Sequence, residues 1–243
     1  MEIQAAEYTD VGSRKVNEDS LLCLIENNRS LFVVADGLGG HGMGDTASQL
    51  VCETARQWFS RETNYCNEMF DNIYRSCQQN LIAKQQELRS AGKMRTTATI
   101  LCTDNTNAYW SHIGDSRIYY FKNKQLIRRT FDHSVPQMLA AAGQLKESEI
   151  RFHEDRNRLL RVLGMAGQDP AYDAEEPITL EGDQQFLLCS DGFWELISEE
   201  QMLLCLDESD EPQLWLENMV ELANRNGRCK SRDNMTAITV WIK

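Results

Sequence analysis

Four short apolar segments follow one another between Thr96 and Thr130, and no other stretch of the sequence restricts the fold as strongly. The segments are residues 96–102, 108–113, 117–121 and 125–129. The connectors between them are short, two of them having only three residues, and they include Asp115-Ser116 and Asn123-Lys124. Connectors of this length join antiparallel neighbours, because parallel strands need a crossover of about a dozen residues. The spacing therefore predicts an antiparallel meander.

Helices and further strands flank this meander in the sequence. Apolar residues recur at helical spacing after Gly44, on a face that includes Ala47, Val51 and Ala55, and again over residues 67–89. Shorter helices are expected over residues 135–142, 155–162, 199–206 and 211–224, and further strands over 21–25, 31–35, 185–189 and 237–242. Strands grouped in hairpins, with helix pairs on the outside, predict β-sheets packed between helical layers.

Length, charge and cysteine spacing limit the organisation and the partners of the chain. The 243 residues contain no internal repeat, low-complexity tract or linker, so residues 1–243 are expected to form one domain. The formal net charge of −12 repels phosphate backbones and anionic lipid headgroups, which argues against nucleic acid and membranes as partners. An acidic N-terminus and the lack of a long apolar run predict a cytoplasmic protein. The eight cysteines show no Cys-x-x-Cys spacing and are expected to be reduced core residues.

The apolar strands repeatedly end or begin at acidic residues. Asp36, Asp115 and Asp191 stand at the ends of apolar runs, Asp233 leads into the last run, and Glu18 and Asp19 lead into the first. A single Asp-Gly pair usually marks a turn, but five such sites are hard to explain as independent turns. If the strands lie side by side, the carboxylates meet at one end of the sheets. Crowded like charges then require cations among them.

This pattern indicates a site for hard cations and phosphoester chemistry. Oxygen ligands favour Mg²⁺ or Mn²⁺, whereas zinc prefers cysteine or histidine. Two or more such ions that share carboxylates recur in phosphoester hydrolysis, where they activate a water molecule for in-line attack on phosphorus. Arg14, five positions before Asp19, is a candidate for binding two phosphate oxygens, although an isolated arginine is more often an ordinary surface charge.

The sequence resembles a known family, the metal-dependent serine/threonine protein phosphatases of type 2C, and its compactness resembles the bacterial branch. The matching segments extend through nearly the whole chain, and their order and combination are specific although each alone is weak. They are GSRKVNED (12–19), VADGLGGH (34–41), TTA (96–98), GDSR (114–117), DHS (132–134), LCSDG (188–192) and SRDN (231–234). The resemblance implies an α+β fold, a four-layer αββα sandwich of two central antiparallel β-sheets flanked by helix pairs, with a metal cleft at one end.

The resemblance also implies a ligand set for two Mn²⁺ or Mg²⁺ ions. Asp36 would bridge the two ions, and the Gly37 carbonyl would bind one of them. Asp191 and Asp233 would complete the other. Glu18 and Asp19 would act as ligands or directly behind the ligands.

Further residues would serve a third ion and the substrate. Asp115, with Asp191, matches the third metal site of bacterial members, and Glu195 is a candidate replacement for an aspartate there. Arg14 matches the phosphate-binding arginine of the family. Residues 132–169 correspond to the mobile flap beside the cleft. The expected substrates are phosphoserine and phosphothreonine in proteins, and bacterial relatives often counter a serine/threonine kinase.

Two positions depart from the family pattern. Leu38 stands where many eukaryotic members place a histidine as a proposed general acid. The nearby His41, or water bound to metal, could protonate the leaving group instead. Arg95 stands where the family usually has a glycine before Thr-Thr.

Two other functions remain open at the level of sequence. The loop 37–42 satisfies the G-x-G-x-x-G pattern of dinucleotide-binding oxidoreductases, with Glu62 at about the right distance. Asp36 would, however, place a carboxylate beside the pyrophosphate, and a second helix follows where a parallel strand is required. A phosphatase-like fold that only binds phosphoproteins is the other alternative, and the presence of Asp36, Asp191 and Asp233 argues against it.

Overall fold

The computed structural model describes residues 2–26, 29–38, 43–62, 65, 67–228 and 231–243. Its strands are β1 (Ile3–Asp10), β2 (Asp19–Glu26), β3 (Arg29–Leu38), β4 (Arg95–Thr96), β5 (Ala98–Thr103), β6 (Asn107–Ile113), β7 (Arg117–Lys122), β8 (Gln125–Arg129), β9 (Asp173–Ala174), β10 (Ile178–Thr179), β11 (Gln184–Cys189) and β12 (Met235–Ile242). Its helices are α1 (Gly44–Phe59), α2 (Met69–Glu87), α3 (Val135–Ala141), α4 (Asp191–Trp194), α5 (Glu199–Asp207) and α6 (Pro212–Asn226), and a 3-10 helix spans Glu147–Phe152.

Within the described residues the strands form two antiparallel sheets. One sheet has five strands in the order β1-β12-β11-β7-β8. The other has seven, with the path β10-β6-β5-β3-β2, while β4 pairs with β3 and β9 pairs with β6. The strands next to the chain ends, β1 and β12, are neighbours in register from Ile3 opposite Ile242 to Asp10 opposite Met235.

The apolar side chains form three layers, one between the sheets and one on each outer face. Phe32, Trp110, Phe186 and Val240 are among the residues buried between the two sheets. Helices α1 and α2 pack on the seven-stranded sheet, and α5 and α6 pack on the five-stranded sheet. Because both faces of β3 are buried, its sequence is a continuous apolar run rather than an alternating one. This arrangement confirms the predicted α+β sandwich.

The predicted meander over residues 96–130 is wrong, because its two halves belong to different sheets. Strands β5 and β6 pair in one sheet, and β7 and β8 pair in the other. The chain crosses between the sheets at Gly114, whose φ of 104° is accessible to glycine at little cost. A short connector shows that the two strands it joins are close in space, but it does not show that they pair. Here β6 and β7 face each other across the core from different sheets.

The helix predicted over residues 155–162 is also wrong. The segment forms a turn and then pairs with the chain around His133. The Leu160 amide donates to the His133 carbonyl at 2.8 Å, and the Val135 amide donates to the Arg158 carbonyl at 3.0 Å. These amide and carbonyl groups therefore form hydrogen bonds between two segments of the flap rather than within a helix. Strand β1 was not predicted, because two of the four apolar residues in its sequence IQAAEYTD are alanine, which is uncommon in strands.

Two further expectations concern the cysteines and membrane-spanning segments. The six described cysteines are free thiols, five of them buried and Cys23 half-buried, as expected for core residues. Cys66 and Cys229 lie outside the described residues. None of the helices in the described part of the chain combines the length and the apolarity that a membrane crossing needs.

Candidate metal centre

Strand ends from both sheets meet at one end of the sandwich and carry acidic residues there. In the seven-stranded sheet, Asp19 lies directly opposite Asp36 in the pairing of β2 with β3. In the other sheet, the end of β11 lies beside the start of β12, so Asp191 and Asp233 follow and precede neighbouring strands. Asp115 lies in the connection that crosses from one sheet to the other. The fold therefore brings the acidic positions together from five separate parts of the chain.

A cleft of about 190 Å³ opens at this end of the molecule. Seven of the ten site residues predicted from the sequence line it: Arg14, Glu18, Asp36, Gly37, Asp115, Asp191 and Asp233. Leu38, Asn157, Leu159 and Asn234 complete the described lining. Of the other three predicted residues, Asp19 is buried, Glu195 is paired with Arg156, and His41 lies outside the described residues.

The carboxyl groups of the cleft are electrostatically crowded. Burial, and then repulsion by Asp19, raises the pKa of Asp36 well above its ordinary value. Burial, and then repulsion by Asp191, does the same for the pKa of Asp115. Burial raises the pKa of Asp19 to about 7, and burial followed by repulsion from Asp233 raises the pKa of Asp191 to about 6. Carboxyl groups in this arrangement ionise fully only when positive charge is supplied.

The donor atoms of the cleft fit hard cations. Among the described residues, the buried Oδ1 atoms of Asp19 and Asp115 have no hydrogen-bond partner. A buried oxygen without a partner is costly, and a cation is one way to satisfy it. No three His, Cys, Asp or Glu side chains in the described part of the chain converge as a ready-made single-ion site. That result is compatible with Mg²⁺, which keeps several water ligands and usually takes only one or two carboxylates.

The backbone at Asp36 and Gly37 is held from both sides. The Asp36 amide donates to Thr97 Oγ1 at 3.0 Å, and the Thr97 amide donates back to the Asp36 carbonyl at 2.9 Å. Gly37 approaches the start of α1 so closely that a Cβ atom there would lie 2.1 Å from the Gly44 carbonyl oxygen. Only glycine allows this contact, which places the end of β3 directly against the helix.

Arg14 is the cation at the mouth of the cleft. Its Nη2 atom lies 2.6 Å from Asp233 Oδ2, and its side chain is 54% exposed. The remaining donors of the guanidinium group are therefore accessible from solvent. Glu18 is fixed nearby, because its amide donates to Asn234 Oδ1 and its Oε1 atom accepts from the Gly44 amide.

Several ion pairs attach the flap to the body of the protein, and two of them involve residues named above. Arg117 donates from Nε and Nη2 to the two carboxylate oxygens of Asp132, at 2.8 and 2.7 Å. Both side chains are almost completely buried, and the Arg117 guanidinium lies 3.4 Å from the ring centre of Trp194. Arg156, which also belongs to the flap, pairs with Glu195 at 3.0 Å. Burial, and then repulsion by Asp191, raises the pKa of Glu195 to about 7.

Sequence reasoning missed residues that support the carboxylates. Ser190 Oγ donates to Asp19 Oδ2 at 2.8 Å, and the Asn234 side chain donates to the Val11 and Val16 carbonyls. Thr97 holds the Asp36 backbone, as described above. These residues lie within the segments TTA, LCSDG and SRDN, so their position beside the aspartates was the available signal. Their hydrogen-bond partners are distant in sequence and required the structure.

Comparison with known proteins agrees with this geometry. The family model described as Protein phosphatase 2C matches residues 10–236. Protein phosphatase PhpP of Streptococcus pneumoniae is 29% identical over 238 residues, which cover 96% of this chain and 94% of that protein. The crystal structure of the Mycobacterium tuberculosis serine/threonine phosphatase PstP/Ppp is similar with a TM-score of 0.87 at 28% identity, covering 99% of each chain. A structure of the PstP catalytic domain in complex with two manganese ions has a TM-score of 0.84 at 27% identity, again covering 99% of each chain.

The sandwich and its carboxylate cleft define a metal-dependent phosphoester hydrolase. The chain belongs to the Protein phosphatase 2C family, whose members are metal-dependent serine/threonine protein phosphatases. These relatives do not favour the dinucleotide-binding alternative, whose loop lies mostly outside the described residues.

Proposed function

We propose that the carboxylate cleft hydrolyses phosphoserine and phosphothreonine residues of proteins with two Mn²⁺ or Mg²⁺ ions, or three when a further site is filled. The observation that carries the proposal is the meeting of five acidic side chains and Arg14 in one cleft. No single strand end would require a metal, but their convergence does.

The proposed ligands are those that line the cleft. Asp36 and the Gly37 carbonyl would hold one ion, and Asp191 and Asp233 would hold the other with Asp36 shared between them. Asp115 would serve a third ion. When bound, the ions lower the pKa of water and balance negative charge on the phosphoryl group.

The remaining residues position these groups and the substrate. Arg14 would bind phosphate oxygens through the guanidinium donors that do not contact Asp233. Glu18 and Asp19 would keep the ligand strands in place, since each is hydrogen-bonded to a neighbouring element of the site. Glu195, paired with Arg156, would act through the flap or beside the third ion. The role of His41 as the proton donor to the leaving group stays a prediction.

Less specific proposals concern the partners of the protein and the organisation of the chain. The proposed partners are phosphoproteins and an opposing serine/threonine kinase. The net charge of −12 argues against nucleic acid. One catalytic domain over residues 1–243, a flap over 132–169 and a cytoplasmic location stay predictions from the sequence.

The test is the hydrolysis of a phosphothreonine peptide by the purified chain with Mn²⁺, with Mg²⁺, and with a chelator. Asp36→Asn is measured in parallel, and Asp210→Asn, an exposed aspartate between α5 and α6, is the matched control. We expect turnover that requires the metal, is lost in Asp36→Asn and is retained in Asp210→Asn. A folded, metal-loaded protein that binds phosphopeptides without hydrolysing any of them would instead support the binding function.

A further inference from the structure

A second cavity lies directly beside the metal centre. Its volume is about 660 Å³, against about 190 Å³ for the carboxylate cleft. Leu38, Asn157 and Leu159 line both cavities, so they share a wall. A volume of several hundred Å³ is the usual size of a binding site. A peptide whose phosphorylated residue enters the cleft would therefore extend into this groove.

The groove is positively charged in a protein whose net charge is −12. Lys93, Arg95 and Arg158 line it, and the described lining contains no aspartate or glutamate. All three cations are exposed, and none forms an ion pair with another described residue. The sequence shows no aspartate or glutamate among the residues outside the described ranges. The three charges are thus available to a ligand.

The backbone that carries Arg95 is held in place beside the cleft. Arg95 lies opposite Leu38 in the pairing of β4 with β3, and Thr96 lies opposite Gly37. On its other side, Thr96 exchanges backbone hydrogen bonds with Leu163 at 2.9 and 3.3 Å. Two fixed neighbours leave little backbone freedom to lose when a ligand binds.

The side chain of Gln85 fixes the adjoining rim. Its Nε2 atom donates to the carbonyl oxygens of Met94 and Gly164, at 2.8 Å each. Helix α2 thereby connects the segment before Arg95 to the flap. The position of the cations relative to the cleft is set by the fold.

The other side of the groove is apolar. Leu159, Leu160, Val162 and Met165 line it, and Leu160 is 49% exposed. Such a wall can bury an apolar side chain of a bound peptide while the cations pair with an acidic one.

We propose that this groove binds the segment of the phosphoprotein next to the phosphorylated residue and selects segments that carry aspartate or glutamate together with an apolar residue. The proposal rests on the proposed phosphatase function and specifies its substrate class. Charge complementarity identifies the occupant, because an acidic peptide pairs with cations that have no carboxylate partner in the described structure. A basic segment would meet three like charges.

The test compares two phosphothreonine peptides that differ only in flanking glutamate or glutamine residues. The value of kcat/KM is measured for each peptide with the Mn²⁺-loaded chain and with Arg95→Gln, Lys93→Gln and the control Arg61→Gln. Arg61 is an exposed arginine two residues after the end of α1. Hydrolysis of p-nitrophenyl phosphate, which has no flanking residues, normalises each variant. Affinities for unhydrolysable phosphonate analogues of both peptides are measured by fluorescence anisotropy.

We expect the wild type and Arg61→Gln to prefer the glutamate peptide, mainly through KM. Each groove substitution should lower this preference roughly two- to fivefold, the range for exposed ion pairs. The preference should weaken with added salt. Equal use of both peptides by a wild type that hydrolyses p-nitrophenyl phosphate, or an undiminished preference in Arg95→Gln and Lys93→Gln, would overturn the groove and leave the phosphatase function intact. If no substrate is hydrolysed, the proposed phosphatase function is wrong. In that case, equal affinities for the two phosphonate peptides would also overturn the proposal that the groove binds acidic segments.

Discussion

Replacing Asp36 by asparagine should stabilise the metal-free protein although it removes the central carboxylate. Asp36 lies opposite Asp19 in the β2–β3 pairing, and side chains in that relation have Cβ atoms about 5 Å apart. Two unit charges at that distance repel by roughly 3 kcal/mol at an effective dielectric constant of 20. Because burial and repulsion among the carboxylates raise the pKa values of both groups, protonation relieves part of this repulsion, and the expected gain is smaller, about 1–2 kcal/mol. For a chain of this length, that gain raises Tm by roughly 2–8 °C.

The assay is thermal and urea unfolding of both proteins in a chelator between pH 4 and pH 8. The folded-state pKa values of Asp36 and Asp19 lie above the unfolded ones, so the folded state holds more protons between those values. Wild-type stability from these groups therefore falls as pH rises through that window. The advantage of Asp36→Asn should be absent near pH 4 and should grow as the pH rises towards the raised folded-state pKa of Asp36. Added Mn²⁺ should raise the Tm of the wild type more than that of the variant.

Asp210→Asn is the control, since it removes an exposed negative charge far from the cleft in sequence. It should leave the free energy of unfolding within about 0.5 kcal/mol of the wild-type value at each pH. An Asp36→Asn protein that is equally or less stable than the wild type at pH 7.5 in chelator would refute the reasoning. The carboxylates would then not be crowded enough to require cations.

Three further predictions concern the cleft and the flap. Arg14→Ala should lower kcat/KM on a phosphopeptide roughly ten- to a hundredfold, because it removes a charged hydrogen bond to the phosphate; steady-state kinetics measure this. Asp132→Asn should lower the free energy of unfolding by about 3 kcal/mol in urea denaturation, because it leaves the buried charge of Arg117 poorly paired. Gly37→Ala should lower the free energy of unfolding by about 1–3 kcal/mol in the same assay and should reduce activity, because the added Cβ atom would lie 2.1 Å from the Gly44 carbonyl oxygen.

Each of these predictions has a result that would contradict it. Arg14→Ala with unchanged kcat/KM would remove the arginine from phosphate binding. The exposed pair of Glu221 with Arg225 is the control for Asp132, and Glu221→Gln should cost less than about 1 kcal/mol. If Asp132→Asn and Glu221→Gln lowered the free energy of unfolding equally, burial would not strengthen the ion pair that attaches the flap. A Gly37→Ala protein of wild-type stability would show that β3 and α1 can separate freely.

The convergence of the aspartates could be predicted because each one stands at the end of an apolar run. The ends of neighbouring strands lie side by side in a sheet, so the sequence predicts that Asp36, Asp191 and Asp233 come together, and all three line the cleft. Residues that act through distant hydrogen bonds could not be found this way. Ser190 and Asn234 resemble ordinary polar loop residues until their contacts with Asp19 and Glu18 are seen.

The two wrong secondary-structure predictions share one physical cause. A short connector was interpreted as a hairpin, but Gly114 allows the chain to turn from one sheet into the other. Residues 155–162 have a helix-compatible pattern, but the backbone around Leu160 gains hydrogen bonds to the chain around His133 instead. In both cases tertiary partners outweighed local preference, which is worth only tenths of a kcal/mol per residue.

The layered α+β architecture, the acidic strand ends and the family can be recognised in the amino-acid sequence, since periodicity, turn residues and carboxylate positions are local properties of the chain. The sheet that each hairpin joins, the attachment of the flap, and the groove that Lys93, Arg95 and Arg158 share beside the cleft are visible only in the folded chain. Pairing between distant segments depends on the burial and hydrogen bonding of both partners together. No local pattern carries that information.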